Sequence, residues 1–253
     1  MYPDKIVITG ATGGLGSELM KSWRDKDNIV RIGRQNYLEI TCDFKEPSEV
    51  RTKMDWYLYD NRDCASEKIG MVLSAGSLGE SPTSLYCPSE WFKLTDYSEV
   101  YNINVLSHLA IIRGLIPLMI QAQYGRIVWL AGGGAAYGNP ELFAYSLSKV
   151  AVVRAVENIA MELADKIEDF SIIALAPGAM ETPMLEKVRK AGGVVKTTTD
   201  ISEPVSFINR FLQTGKFMAN ELSGKFIHVR DDLNVMLETS DRDKLWKLRR
   251  IEE

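Results

Sequence analysis

The chain contains few of the residues that build metal sites and disulfide frameworks. Of its 253 residues, only three are cysteines and two are histidines. Cys42, Cys64 and Cys87 lie far apart in the sequence, and an odd number of cysteines argues against a disulfide framework. His108 and His228 have no partners at the spacing of metal ligands. We therefore predict that the protein binds no metal, and its unpaired thiols favour the reducing cytoplasm.

The sequence also lacks a long hydrophobic run, a block of like charges and a low-complexity segment. Its most apolar stretch begins at Leu109, contains Arg113 and Pro117, and is too short to cross a bilayer. The amino terminus enters an apolar segment directly, without the basic region that opens a signal sequence. The net charge of −4 gives no reason to expect nucleic acid or an anionic membrane as a partner. These absences favour an ordinary globular protein.

Short apolar runs alternate with helix-like segments along the chain. The predicted strands are Lys5–Gly10, Asn28–Gly33, Leu38–Asp43, Ile69–Gly76, Gly125–Gly132, Phe170–Gly178 and Ser223–Val229. The longer predicted helices are Gly16–Lys26, Ser48–Asp60 with Ser48 as its cap, Val105–Gln123 and Leu142–Ile167. This alternation predicts an α/β fold, a Rossmann-like doubly wound parallel sheet between two helical layers, in one domain over 1–253. Too few residues separate the second and third strands for a helix between them.

A glycine cluster, TGATGGLG from Thr9, lies between the first predicted strand and the first predicted helix. Gly10, Gly14 and Gly16 suit a tight turn, a close approach of the backbone to a pyrophosphate, and close packing of the helix on the strand. The amino end of the helix would present free N–H groups and a partial positive charge to the phosphates. This context favours a dinucleotide-binding site over a plain turn.

A second motif places a tyrosine and a lysine on one face of a helix. Tyr145 and Lys149 are four residues apart in the predicted helix Leu142–Ile167. A free tyrosine has a pKa of about 10, and a neighbouring ammonium group stabilises the phenolate and lowers that pKa. The pair can therefore act as an acid–base catalyst.

Together these motifs resemble the short-chain dehydrogenase/reductase family, in its standard-length branch. The glycine cluster fits the family pattern Thr-Gly-x-x-x-Gly-x-Gly, and Tyr145 and Lys149 fit Tyr-x-x-x-Lys. The resemblance covers nearly the whole chain. Further matches are Cys42–Asp43 for the acid beside the adenine, YNINVLS with Asn104, the strand GRIVWLAG, and APGAMETPM with Pro177, Gly178 and Thr182.

The resemblance implies a set of site residues and their roles. Tyr145 would be the acid–base catalyst, Lys149 would lower its pKa and hold the nicotinamide ribose, and Asn104 would hold a water that relays protons. The residues expected to bind the cofactor are Gly10, Thr12, Gly14, Leu15, Gly16, Arg34, Asp43, Ala75, Gly76, Tyr145, Lys149, Pro177, Gly178 and Thr182.

The chain departs from the family at the serine that orients the substrate carbonyl. The position falls on Ala131 or Gly132, and neither has a hydroxyl group. Related chains that read Ser-Gly-Gly-Gly favour Ala131 as the replaced position. Losing one such oriented donor costs about two or three powers of ten in rate, unless Tyr137 or a group of the substrate replaces it. The family sequence Asn-Asn-Ala-Gly is also changed, to Leu-Ser-Ala-Gly, in the strand that begins at Ile69.

The end of the second predicted strand indicates which nicotinamide cofactor is used. An NAD site places an acid there for the ribose hydroxyls, whereas this chain has Ile32, Gly33 and Arg34. A guanidinium group pairs well with a 2′-phosphate. We therefore expect NADP, with NAD as the alternative, since no second basic residue lies in the glycine cluster.

The expected function is NADP-dependent interconversion of a carbonyl and an alcohol on a small molecule. Because the serine is missing, two alternatives stay open: a catalytically weak dinucleotide-binding protein, and a nucleotide-sugar epimerase or lyase. Asp231–Asp232 resembles a branch associated with sugars, a hint of a sugar-derived substrate. The family pairs subunits through two long helices, here Val105–Gln123 and Leu142–Ile167, which implies a homodimer or homotetramer.

The segment 184–200 corresponds to the family's mobile substrate lid. Gly192–Gly193 could act as its hinge. The segment contains four basic residues, Lys187, Arg189, Lys190 and Lys196, which would suit an anionic substrate. An exposed charged helix explains them more simply.

Overall fold

The computed structural model describes residues 2–23, 28–62, 66–79, 94–139, 142–190, 195, 197–238 and 246–247. Within these ranges, seven strands form one parallel sheet with the order β3-β2-β1-β4-β5-β6-β7. The strands are β1 Lys5–Thr9, β2 Ile29–Gly33, β3 Ile40–Thr41, β4 Ile69–Leu73, β5 Tyr124–Leu130, β6 Asp169–Ala176 and β7 Phe226–His228. The strand order reverses between β1 and β4, and ligands of such sheets bind at that switch point.

Helices cover both faces of the sheet. They are α1 Gly14–Ser22, α2 Pro47–Asn61, α3 Leu94–Tyr101, α4 Ser107–Ala122, α5 Phe143–Leu163, α6 Pro183–Lys190, α7 Ser202–Gln213, α8 Lys216–Leu222 and α9 Leu233–Glu238. A π-helical turn, Asn102–Leu106, joins α3 to α4, and a short 3₁₀ turn, Gly133–Ala135, follows β5.

Two hydrophobic cores lie on opposite faces of the sheet. Along β1, Val7 contributes to one core and Ile6 and Ile8 to the other, as the alternation of side chains along a strand requires. The first core packs β-strand side chains against α2, α4 and α5, and the second packs them against α1 and α7. The predicted three-layer Rossmann-like fold is confirmed.

Several predicted element ends differ from the structure. The strands predicted to run to Gly10 and Gly178 end before these glycines, because both have positive φ angles, +69° and +76°, that turn the chain out of the sheet. Ser48 is not the cap of α2, because the helix begins at Pro47, whose fixed φ suits the first helical turn. The segment predicted as a strand over Leu38–Asp43 pairs only at Ile40–Thr41.

The apolar helix is longer than the sequence predicts. It runs without interruption through the π-turn, and the stretch Tyr97–Ala122 is long and apolar enough to cross a membrane by length and composition. However, 56% of its most apolar window is buried inside the protein. Ile111, Leu115 and Met119 belong to the first core. Packing against the sheet and α2 therefore accounts for the apolar character of this helix.

Gly16 determines how closely α1 approaches the end of β1. A Cβ at Gly16 would overlap the carbonyl oxygen of Gly10 and crowd the backbone of Ala11. Backbone atoms cannot move aside as a flexible side chain can. Only glycine therefore allows α1 to begin so close to the strand.

Replacing Gly16 by alanine is expected to destabilise the fold by about 1–3 kcal/mol, because the methyl group forces α1 away from β1. The control is Gly215→Ala, where a Cβ meets no atom of the described residues within 4 Å, and its expected cost is below about 1 kcal/mol. Urea unfolding of both variants measures the difference. Equal stabilities would contradict the close-packing role of Gly16.

Candidate active site

A cavity of about 1320 Å³ opens at the carboxyl ends of the strands. It exceeds the roughly 300–1,000 Å³ of typical small-molecule pockets, so it can hold a dinucleotide beside a small substrate. Most of the predicted site residues line it: Gly10, Thr12, Gly14, Leu15, Arg34, Asp43, Ala75, Gly76, Tyr145, Lys149, Pro177, Gly178 and Thr182. Gly16 and Asn104 are absent from the cavity lining and lie behind its wall.

The glycine cluster forms a cradle at the start of α1. Gly10 adopts a positive φ of +69°, and a Cβ there would lie 2.7 Å from the backbone nitrogen of Ala75. Gly13 caps α1 without a side-chain hydrogen bond, and the first turn contains no acidic residue. The first N–H groups of α1 therefore keep their capacity to bind an anion, and the residues present fit a pyrophosphate.

The loop after β2 presents a cation at the rim of the cavity. Arg34 is exposed and makes no hydrogen bond or ion pair with the described residues, whereas the nearby Arg31 is held by Glu39 at 2.6 Å. The acid that follows β3, Asp43, accepts a hydrogen bond from the backbone N–H of Lys45 at 3.0 Å. The rim near β2 therefore carries a positive charge that is paired with none of the described residues.

Tyr145 and Lys149 lie in the first two turns of α5 and both line the cavity. The Lys149 Nζ donates a hydrogen bond to the backbone carbonyl of Leu130 at 2.8 Å and lies 5.4 Å from the centroid of the Tyr145 ring. The Lys149 side chain is buried, and burial lowers its pKa to about 8. The carbonyl at the end of β5 therefore holds a buried cation beside the phenol.

The expected lowering of the tyrosine pKa is not found in the structure. Burial raises the pKa of Tyr145 to about 12. The physical reason is that the Lys149 ammonium approaches the ring and donates to Leu130, while the apolar surroundings disfavour the phenolate. Tyr145 is therefore a protonated phenol at neutral pH.

The buried side chain of Asn104 links the π-helical turn to the segment after β4 and to α5. Its side-chain Nδ2 donates to Ser148 Oγ at 2.9 Å and to the Ser77 carbonyl at 3.0 Å, and its Oδ1 accepts the Ser77 N–H at 2.7 Å. Asn104 lies in the π-helical turn, a feature that occurs frequently at functional sites. These bonds occupy both polar groups of the side-chain amide, and the water relay at Asn104 stays a prediction.

His108, whose sequence spacing indicates no metal site, is part of the same buried network. Its Nδ1 lies 3.2 Å from the Asn104 carbonyl oxygen and its Nε2 lies 3.0 Å from Thr9 Oγ1. A carbonyl only accepts, so Nδ1 carries the hydrogen and Nε2 accepts from the Thr9 hydroxyl. The hydroxyl in turn accepts the N–H of Ala75 at 3.1 Å. The signal in the sequence was a histidine one turn after Asn104 in an apolar helix.

The two changed residues of the Leu-Ser-Ala-Gly segment keep β4 joined to β1. Leu73 is buried in the first core. Ser74 Oγ donates to the carbonyl of Thr9 at 2.5 Å. The Ser74 hydroxyl thus satisfies the carbonyl of Thr9, and His108 satisfies the Thr9 hydroxyl.

The position beside the phenol is Gly132. A Cβ at Gly132 would lie 3.0 Å from the Tyr145 hydroxyl oxygen. Ala131, the position that the sequence analysis favoured, has its side chain buried in the first core. A serine side chain would therefore reach Tyr145 from position 132.

The predicted lid, 184–200, is described in part. Met184, Leu185 and Val188 of α6 line the cavity. Residues 191–194 and 196, which include the Gly192–Gly193 hinge and Lys196, lie outside the described residues.

Two of the basic side chains of α6 are paired with acids. Arg189 forms a bidentate pair with Glu181 at 2.6 and 2.7 Å, and Lys190 pairs with Glu186 at 2.7 Å. This pairing fits an exposed charged helix better than an anion site.

The turn after β7 completes the far wall of the cavity. Asp231 Oδ2 accepts the backbone N–H of His228 at 2.8 Å, and both residues line the cavity.

In the ranges that the structure covers, no group of three or more histidines, cysteines or acids could hold a metal ion.

Comparisons with known proteins agree on one family. Residues 4–192 match the model of a family described as short chain dehydrogenase. The chain is 27% identical over 192 residues to the 3-oxoacyl-(acyl-carrier-protein) reductase FabG of Thermotoga maritima, covering 72% of this chain and 76% of that protein.

Two solved structures share the fold. A short chain dehydrogenase from Shigella flexneri, complexed with NADP, has a TM-score of 0.72 and 17% identity, covering 91% of this chain and 98% of its own. An oxidoreductase of the short chain dehydrogenase/reductase family from Brucella ovis, in complex with a partially ordered NAD, has a TM-score of 0.68 and 20% identity. The match covers 88% of this chain and 98% of that one.

The neutral state of His108 makes stability depend on pH. Burial lowers the pKa of His108 from 6.5 to about 3, although its bond to Asn104 favours the protonated form. The unfolded chain therefore takes up a proton near pH 6.5 while the folded chain does not. The contribution of neutral His108 to the free energy of unfolding is complete above about pH 6.5. It is lost as pH falls towards 3, by roughly 1 kcal/mol per pH unit.

We expect the wild type to lose about 2 kcal/mol more than His108→Gln between about pH 7 and about pH 5, because glutamine does not titrate. Urea unfolding at each pH measures this difference. Identical pH profiles for the two proteins would rule out a buried neutral histidine.

Proposed function

Because the chain belongs to the short-chain dehydrogenase family, we propose that it is an NADP-dependent oxidoreductase that interconverts a carbonyl and an alcohol on a small molecule. The observation that carries the proposal is that one cavity holds the glycine cradle and the pair Tyr145 and Lys149. The cradle provides an anion site, and the pair provides an acid next to a buried cation. An oxidoreductase that uses a dinucleotide needs both.

The side chains have distinct tasks in this proposal. The first turn of α1 binds the pyrophosphate through its N–H groups. Lys149, held by Leu130, holds the ribose, and the backbone at Pro177 and Gly178 with Thr182 holds the carboxamide. The bound nicotinamide supplies or accepts a hydride.

Tyr145 donates the proton to the substrate oxygen. Its phenol is protonated at neutral pH, and burial raises its pKa further, to about 12. A raised pKa makes the phenol a weaker acid, so its proton transfer depends on groups that stabilise the phenolate. The neighbouring Lys149 cation stabilises the phenolate as the proton leaves.

NADP is the proposed cofactor because of Arg34. Its guanidinium group is unpaired with any described residue, lies at the rim after β2, and faces no acid at the end of that strand. A 2′-phosphate offers it charge-assisted, bidentate hydrogen bonds.

Gly132 favours a second candidate, a dinucleotide-binding protein with little turnover. No hydroxyl group of residue 131 or 132 reaches the Tyr145 phenol, so the substrate carbonyl lacks the family's second donor. Tight NADPH binding without turnover of any carbonyl would support this candidate.

We also propose a cytoplasmic homo-oligomer. Exposed apolar side chains lie along the helices from α3 to α5: Tyr101, Leu106, Ile120, Leu147, Val150 and Met161. The family pairs subunits through these long helices, and a second copy would bury these side chains.

Tyr145→Phe tests the proposed acid. We expect kcat for carbonyl reduction to fall by about 10²–10⁴-fold, because phenylalanine cannot donate a proton, while NADPH affinity stays within about threefold. NADPH absorbance measures turnover and fluorescence titration measures binding. Full activity of Tyr145→Phe would exclude the phenol as the acid, and substrate conversion at constant NADPH would indicate an epimerase or lyase.

Arg34→Gln tests the cofactor preference. Losing the guanidinium is expected to weaken NADPH binding by about 10–100-fold and to leave NADH binding nearly unchanged, because only NADPH carries the 2′-phosphate. The matched control is Arg31→Gln, since Arg31 is held by Glu39. If Arg34→Gln changed the affinity for both cofactors equally, Arg34 would not bind the 2′-phosphate that distinguishes NADPH from NADH.

A further inference from the structure

We propose that the substrate is a vicinal hydroxycarbonyl compound whose own hydroxyl group occupies the space beside Tyr145 that the missing side chain at Gly132 leaves. This inference rests on the proposed reductase function and names its substrate class. It explains why the chain keeps the acid Tyr145 although it lacks the serine that orients the substrate carbonyl in the family.

The backbone does not require glycine at position 132. Its φ of 163° and ψ of 174° describe extended backbone that any residue can adopt. The atoms that a Cβ at Gly132 would meet within 4 Å all belong to the Tyr145 ring and hydroxyl group. The missing side chain at position 132 therefore leaves more space in front of the Tyr145 phenol.

A side chain at position 132 would crowd the Tyr145 hydroxyl group. A Cβ would lie 3.0 Å from the Tyr145 hydroxyl oxygen, which is tight for a carbon atom. A ligand atom cannot take the Cβ position itself, which is one bond from the Gly132 Cα. Without a side chain there, however, the phenol keeps space at its side where a ligand hydroxyl can make a hydrogen bond of about 2.5–3.0 Å.

The adjoining wall leaves room for the carbon that bears this hydroxyl. Among the residues that the structure describes, a Cβ at Gly133 would meet nothing within 4 Å, and the same holds for Gly138. Both glycines line the cavity. Tyr137 lies between them in the sequence, is 79% exposed, and offers a further hydroxyl to a hydroxylated ligand.

When the carbonyl and the hydroxyl are on adjacent carbon atoms, the Tyr145 hydroxyl group can make a hydrogen bond with each of their oxygen atoms. A tyrosine hydroxyl can donate one hydrogen bond and accept another. Tyr145 would donate to the carbonyl oxygen and accept from the adjacent hydroxyl, whose oxygen lies about one hydrogen-bond length, roughly 2.8 Å, from the carbonyl oxygen. The substrate hydroxyl would then stabilise the phenolate as the proton leaves.

The chemical balance of the step is that of a ketone reduction. The carbonyl carbon gains a hydride from reduced nicotinamide, which becomes oxidised, and the carbonyl oxygen gains the proton of Tyr145. The product is a vicinal diol, and the phenolate takes a proton from water. In the reverse direction one alcohol of the diol is oxidised.

The test compares two ketones that differ only by a hydroxyl and a methyl group, 2-hydroxycyclohexanone and 2-methylcyclohexanone, with NADPH as the reductant. For the wild type we expect kcat/KM to be about 100-fold higher for the hydroxyketone, the usual effect of one oriented donor. For Gly132→Ser we expect this ratio to fall below about 10-fold, because the serine hydroxyl replaces that of the substrate.

Gly132→Ala separates filling the space from restoring a hydroxyl. We expect it to lose activity on the hydroxyketone without gaining any on the methylketone. NADPH binding and the melting temperature of each variant show that it is folded, with Gly215→Ala as the distant control. A wild-type ratio near one, or no turnover of either ketone, would overturn the substrate assignment.

These results are distinguishable from failure of the proposed function. If the wild type reduces both ketones equally and Tyr145→Phe abolishes both activities, the reductase proposal stands and the vicinal hydroxyl is excluded. If the protein does not bind NADPH, the proposed function itself fails. A ratio that Gly132→Ser leaves unchanged would show that position 132 does not select the substrate.

Discussion

The buried hydrogen-bond network around Thr9 and His108 holds the site together. It joins the end of β1 to β4 through Ala75, to the π-turn through the carbonyl of Asn104, and, through the Asn104 side chain, to Ser148 of α5. Buried polar groups that lose a partner are costly, so each bond restricts the others. The glycine cradle and the helix that carries Lys149 are therefore held in one fixed relation.

Electrostatics at the catalytic pair depend on what fills the cavity. In the protein alone, burial keeps the phenol of Tyr145 protonated and weakens the basicity of Lys149. Each shift opposes a buried charge, which is the expected effect of an apolar environment. In the proposed reaction, a bound cofactor and a polar substrate would supply the groups that stabilise the phenolate. Under the proposed substrate assignment, Gly132 extends this dependence, because the ligand would supply a hydrogen bond that no side chain at position 132 can make.

The departures from the family pattern have different consequences. Ser74 compensates structurally, because its hydroxyl group satisfies the carbonyl of Thr9. Gly132 is not compensated by any side chain at 131 or 132, and it changes the space next to the reacting oxygen. The change at Ser74 keeps the ends of β1 and β4 joined, whereas the change at Gly132 is the basis of the proposed substrate class.

The sequence alone determined the fold class, the glycine cradle and the Tyr145–Lys149 pair, because these depend on local patterns: alternating strands and helices, a turn that only glycine can make, and a spacing of four residues. Tertiary structure decided the rest. The partner of Lys149 is a carbonyl 19 residues away, His108 meets Thr9 across 99 residues, and Gly132 rather than Ala131 faces the phenol. Such contacts arise from the packing of separate elements, and no local pattern encodes which atoms packing brings together or which charges it buries.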